Sequence, residues 1–322
     1  MNFPTTLSEE DRLYRAPWFT VLACNVILYI IAQRIKDNGI VDISWGLVFL
    51  MPNLAILTIN YNLNMRTYLV TSMITVWAIR MALSNGLRHN GEDWRYAEMR
   101  QNWMKKGKCF YYVAAFVFIY FTQTIFQCLM CCSSFYINAF SPDIKEYEIL
   151  DYIGAGVWFI GFLIELVADL QLQIFRRNPI NKGKLLTTGL WKFSRHPNYF
   201  GEALLWWGIY IIACTIKMGW ITVFSPVILT FLLRFVSGVP LLENKYKERQ
   251  DFKNYVKQTN CFILWIPSKV ETVVEEFSLN STRSLQMLKE IDLEREEVKS
   301  ISSNEDEFVK KKPSVAIRPI IV

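Results

Sequence analysis

The chain has 322 residues, of which 52% are hydrophobic, 15% aromatic and only 20% charged, with a formal net charge of +6. That is too apolar for a soluble domain, and its long apolar runs lack the alternation over about ten residues that barrel strands require. The basic residues sit mainly in loops, so the charge reads as membrane topology and not as affinity for nucleic acid.

In chain order, residues 1–17 are a polar N-terminal segment, and no cleavable leader is expected there. Apolar runs follow at 18–33, 41–60, 68–83, 110–137, 149–174, 200–216 and 220–235. They cluster around the roughly twenty residues that carry a helix across the hydrocarbon core. The third run ends near Arg80, Glu165 and Asp169 interrupt the fifth, and the last two form a tight hairpin around Lys217, Met218 and Gly219. An amphipathic segment then runs to Pro267, and residues 268–322 turn Glu-, Ser- and Lys-rich. The predicted fold is an all-α polytopic membrane bundle of about seven helices over 18–267, with a disordered tail over 268–322. Lys and Arg are dense in the loops at 85–108 and 176–195 and after 245, and sparse in the others. The positive-inside rule puts those loops and the C-terminus in the cytosol.

Five of the seven cysteines lie in apolar runs, where cysteine behaves as a small hydrophobe. Cys128, Cys131 and Cys132 have a CxxCC spacing, but no second ligand pair or nearby histidine completes a site, so no metal is predicted. His89 has no assigned role.

Ionisable groups inside a span are costly unless paired or hydrated. Glu165 and Asp169, four residues apart, share one helix face, and Arg176 lies two turns further on. Two readings stand: the carboxylates neutralise arginines between helices, or they line a polar cavity. The segment Arg195, His196, Pro197, Asn198, Tyr199, Gly201, Glu202 places a second polar cluster at the mouth of a helix. Arg195 offers a forked donor for phosphate, and Asn198 and Glu202 on one face can hydrogen-bond a ribose or a base edge. The bland alternative is that Arg195 and His196 anchor a helix end, with Trp206 and Trp207 in an aromatic belt.

The stretch SRHPNYFGE followed by WWG, with the closing pattern Tyr255, Thr259, Phe262, Trp265, Ile266, Pro267, resembles the C-terminal domain of the steroid 5-alpha-reductase superfamily. Val41, Asp42, Trp45, Gly46 and the run Glu92–Tyr96 (EDWRY) resemble a little-characterised branch of it. The resemblance implies an NADPH-dependent reductase of a carbon–carbon double bond in a lipid-soluble substrate, resident in the endoplasmic reticulum. It implies cofactor contacts at Asp169, Arg176, Arg195, His196, Asn198, Tyr199 and Glu202, and weaker ones at Arg234 and Glu243. Candidates for proton donation are Tyr199, Asp42 and Glu92. The chain departs from the steroid reductases where Glu165 replaces an asparagine and where Ser237–Glu243 replaces a histidine-rich stretch. The steroid-site Gln–Glu pair also has no match. Because isoprenylcysteine and phospholipid methyltransferases share the RHPxY element, S-adenosylmethionine is the alternative cofactor. A non-catalytic membrane scaffold is the third reading.

Overall fold

The computed structural model describes residues 9–60, 63–268 and 284–289, and the chain divides into two compact units, Met1–Pro267 and Ser268–Val322. Among the described residues all regular structure is helical. Helices α1 (Glu9–Ile35), α2 (Ile40–Ile59), α3 (Met65–Arg88), α4 (Trp94–Met104), α5 (Lys108–Met130), α6 (Cys132–Phe140), α7 (Ile149–Arg177) and α8 (Pro197–Ala213) follow in order. After them come α9 (Phe224–Phe231), α10 (Val239–Tyr246) and α11 (Gln250–Gln258). In the second unit, residues 284–289 are helical; the rest of the expected disordered tail, bar Ser268, lies outside the described residues.

Among the described residues, six segments are long and apolar enough to cross a membrane: Arg15–Ile35, α2, α3, α5, α7 and Gly219–Tyr246. Helix α8 has 17 residues, about 25 Å, slightly under the thickness of the hydrocarbon core. It matches the sixth predicted run, 200–216, and it lies against α7 along its length. That pairing rests on glycine. A Cβ added at Gly208 would sit 2.6 Å from both Gly154 O and Trp158 N, and one at Gly201 would sit 2.6 Å from Glu165 N. The two helices therefore meet backbone to backbone, as small residues allow in a bilayer. This contact fixes the height of Glu165 and Asp169 relative to Asn198 and Glu202.

Two predicted runs are shaped differently from uniform helices. The run at 110–137 breaks at Cys131, between α5 and α6, and α5 carries a π-helical turn at Phe116–Phe121. The Ser225 hydroxyl donates to the Met130 carbonyl at the break, so the freed backbone acceptor stays satisfied. The final run enters through a 3₁₀ turn, Gly219–Val223, and leaves through a π-helical turn, Leu232–Val236. Helix α4 arises inside what reads as a basic loop; the Asp93 carboxylate caps it by accepting from Arg95 N at 3.0 Å. Helix α1 begins at Glu9, inside the polar N-terminal segment.

At one end of the bundle, Arg66 is fully buried and forked onto Asp151 by two 2.8 Å hydrogen bonds. Asn64 caps α3 and reaches the Ser141 carbonyl at 3.0 Å, while Asn60 reaches the Asn138 carbonyl at 2.7 Å. This closes one end as a satisfied polar knot. In the middle, Phe49, Trp77 and Trp206 join α2, α3 and α8, with ring centroids 5.2–5.4 Å apart. The candidate site lies at the other end.

Candidate functional site

Helix α8 starts where the chain has Ser194-Arg195-His196-Pro197. Pro197 occupies the first turn, where its fixed φ and missing N–H cost nothing. Preceding residues are stitched to the segment after α11: Arg195 N donates to Asn260 O at 2.8 Å, and Ser194 Oγ donates to Phe262 O at 2.7 Å. Trp265 N donates to Phe193 O at 2.9 Å. The Tyr255 hydroxyl donates to the Trp191 carbonyl, and burial pushes that phenol well above its ordinary pKa. The closing pattern Tyr255–Trp265 is thus a strap that holds the mouth of α8.

Arg195 is buried, and its donors are engaged. Nε lies 2.8 Å from Glu243 Oε1, Nη2 3.3 Å from Glu243 Oε2, and Nη1 2.6 Å from the Thr259 carbonyl. His196 Nε2 lies 3.1 Å from the same Glu243 oxygen, and its ring stacks on Tyr199 at 5.5 Å. Arg234 sits apart from this group, with its guanidinium 4.9 Å from the Phe235 ring centroid. Burial and the adjacent Glu243 raise the Cys261 thiol above its usual range.

One level deeper, Glu165, Asp169 and Glu202 are all buried. Arg80 of α3 ties the first two together: it pairs with Glu165 and reaches Asp169 Oδ2 at 2.9 Å. Asn198 donates to Asp169 Oδ1 at 3.3 Å. Trp45 hydrogen-bonds to Glu202, which brings α2 into the same group. Glu165 Oε2 and Asn198 Oδ1 have no hydrogen-bond partner among the described residues. Arg80 is the member that spacing arguments miss. The available signal was charge balance: a cation inside one span needs the carboxylates stranded inside another.

The N-terminal motifs form a separate knot. Asp42 accepts from the Tyr96 hydroxyl at 3.0 Å and from Arg95 at 2.8 Å, and Arg95 also bonds Asp93 at 2.8 Å. Burial raises the Tyr96 phenol well above its normal range, and the Asp42 charge adds to it. Burial alone would raise the Asp93 carboxyl, but hydrogen bonds from the Arg95 side chain and backbone hold it below the ordinary aspartate value. Glu92 Oε1 accepts from Arg100 at 2.6 Å and from both Asn38 N and Asn38 Nδ2 at 3.0 Å. Helix α4 is therefore clamped onto α2 through Asp42 and onto the α1–α2 turn through Glu92.

Two cavities open at this end. The first, about 490 Å³, is lined by Asn198, Tyr199, His196, Arg195, Glu243 and Arg176 of the predicted residues, with apolar walls from Leu172 and Phe175. Six lysines and arginines line it against one carboxylate, Glu243. The second, about 420 Å³, holds Asp42, Glu92, Asp93, Arg95 and, again, Arg176. Of the predicted residues, Asp169 contacts the first cavity through the lining residue Asn198, and Glu202 and Arg234 line neither cavity.

Fold and site define a multi-pass helical membrane protein with two cation-bearing cavities at one end of its bundle. The chain belongs to the DUF1295 family, described as proteins of unknown function, within the steroid 5-alpha-reductase-like superfamily; the match covers residues 28–259. An uncharacterized protein of Schizosaccharomyces pombe is 26% identical over 233 residues, 62% of this chain and 64% of the relative. The 3-oxo-5-alpha-steroid 4-dehydrogenase 1 of Bos taurus is 27% identical over 104 residues, 32% of this chain and 38% of that protein. A probable protein-S-isoprenylcysteine O-methyltransferase of Oryza sativa subsp. indica is 28% identical over 78 residues, 23% and 41% of the two chains. The chain thus spans less than two thirds of the length of these relatives. No solved structure matches it.

Proposed function

We propose that this protein is a membrane-embedded, NADPH-dependent reductase acting on a carbon–carbon double bond of a lipid-soluble substrate. The observation that carries the reading is the charge of the first cavity: six basic side chains line it, and while Arg195 pairs with Glu243 and Arg249 with Asp251, Arg88, Arg176, Lys182 and Lys184 pair with no carboxylate among the described residues. A dinucleotide bearing three phosphate groups suits that field; S-adenosylmethionine, with its sulfonium cation, does not. The orphaned Asn198 Oδ1 is the kind of acceptor that a carboxamide or ribose donor would satisfy. The residues present therefore fit the cofactor.

NADPH, when bound, supplies the hydride. The chain's own residues do the rest. Asn198 and the carboxylates behind it present hydrogen-bond partners at a fixed depth set by the glycine contact of α7 and α8. Arg195 and His196 brace Glu243, and the Arg195 donors are already used. Tyr199 is the preferred proton donor: it lines the first cavity, and its hydroxyl has no hydrogen-bond partner among the described residues. Asp42 and Glu92 are held by Arg95, Tyr96, Arg100 and Asn38 and act as the clamp of α4. The end of the bundle that carries the site faces the cytosol in this reading, and the endoplasmic reticulum is the proposed residence.

The test is equilibrium binding of NADPH and of S-adenosylmethionine to the purified protein in detergent. NADPH should bind saturably, and Asn198→Ala and Glu202→Ala should each weaken it without loss of fold. The methyltransferase reading is favoured by the match to the rice protein. Saturable S-adenosylmethionine binding in the absence of NADPH binding decides for it. Binding of neither leaves the scaffold reading.

A further inference from the structure

The lining residues of the two cavities overlap at two positions, Arg88 in the last turn of α3 and Arg176 in the last turn of α7. These two differ from the other arginines around them. Arg95 is neutralised by Asp42 and Asp93, Arg195 by Glu243, and Arg249 by Asp251. Arg88 instead donates only to the Ser84 carbonyl and the Asn85 amide oxygen. Arg176 makes no hydrogen bond or ion pair among the described residues. Both are exposed. Their position at helix C-termini accounts for basic residues there. It does not account for two guanidinium groups that have no carboxylate partner among the described residues and that border both chambers.

We infer that Arg88 and Arg176 form a waist that grips the diphosphate of a dinucleotide, with one nucleoside in each chamber. The assignment rests on the cofactor reading given above and adds to it a place for the ligand's centre and a residue, Arg88, outside the recognisable motifs. The shape argument is direct: a dinucleotide is two bulky halves joined by a doubly charged bridge. The structure offers two chambers that share two guanidinium groups with no carboxylate partner among the described residues. Guanidinium forks are suited to phosphate oxygens, and a pair of them brackets a diphosphate better than a single terminal phosphate.

The test is fluorescence titration of NADPH and NADH against the full-length wild type and the variants Arg88→Gln and Arg176→Gln. Each variant should weaken NADPH and NADH by the same factor, about tenfold or more, because both dinucleotides carry the diphosphate. Thermal unfolding midpoints should match the wild type, since neither side chain holds a carboxylate. If the variants lower NADPH affinity but leave NADH unchanged, the arginines read the 2′-phosphate and the waist is refuted. Wild-type affinity for both dinucleotides in both variants also overturns it, while leaving the cofactor reading standing. A wild type that binds neither dinucleotide removes the cofactor reading itself, and the waist with it.

Discussion

Arg80 decides how the buried carboxylates coexist. Its side chain is 10% exposed, and it faces Glu165 and Asp169, whose side chains are 3% and 7% exposed. Removing one partner from such a group leaves charge uncompensated in a dry interior, which costs more than the pair itself contributes. Arg80→Met should therefore destabilise the protein by roughly 3–5 kcal/mol, read from denaturant or thermal unfolding in detergent. Adding Glu165→Gln and Asp169→Asn to that variant should restore much of the loss. A triple variant no more stable than Arg80→Met would show that the cluster is not held together by charge balance. The sequence displays all of these residues, and the spacing of four between Glu165 and Asp169 puts them on one face. What spacing cannot give is the partner, because Arg80 lies 85 positions before Glu165.

Two elements set the geometry of the site. In the α7–α8 pair, a side chain at Gly208 would press on the backbone of Gly154 and Trp158, and backbone cannot move aside as a flexible side chain can. Gly208→Val should cost about 1–3 kcal/mol as an overpacked contact. It should also weaken NADPH binding, since it shifts Asp169 against Asn198; binding titrations of the folded variant check this. Helix α4 depends on its cap. Asp93 has its carboxyl held below the ordinary aspartate value of 3.8, so its stabilisation is complete above that pH and fades as pH falls through the lower folded value. Protection factors of the α4 amides, taken against the intrinsic exchange rate at each pH, should thus be constant from neutral pH down to about 4 and fall below it. Asp93→Asn should remove that pH dependence. Long apolar runs made the spanning helices legible, whereas α4 was not, because a short polar helix fixed by a cap and two clamps has no such run to announce it.

At the scale of the whole molecule, both cavities lie at the end of the bundle that carries the basic loops, opposite the Arg66–Asp151 knot. The positive-inside rule assigns that end to the cytosol. Cys109 is exposed at the start of α5, on the same end. In sealed microsomes with the cytosolic face outward, a membrane-impermeant maleimide should therefore label Cys109 without permeabilisation, and Cys109→Ser should abolish the signal. Labelling only after permeabilisation would reverse the topology and put the cavities in the lumen.

The sequence alone determined the class of fold, because a bilayer demands long apolar helices and marks their ends with charge. It also determined which short segment forms the polar end of α8, since Arg195, His196, Asn198, Tyr199 and Glu202 all lie within the stretch 195–202. Only the tertiary structure decided which of those groups are free. It filled the Arg195 fork with Glu243 and Thr259, bound Glu92 and Asp42 into the α4 clamp, and put Arg88 and Arg176, with no carboxylate partner among the described residues, on the lining of both cavities. Partners in a folded bundle come from helices distant in sequence, and a charge is defined by what lies within a few ångströms of it.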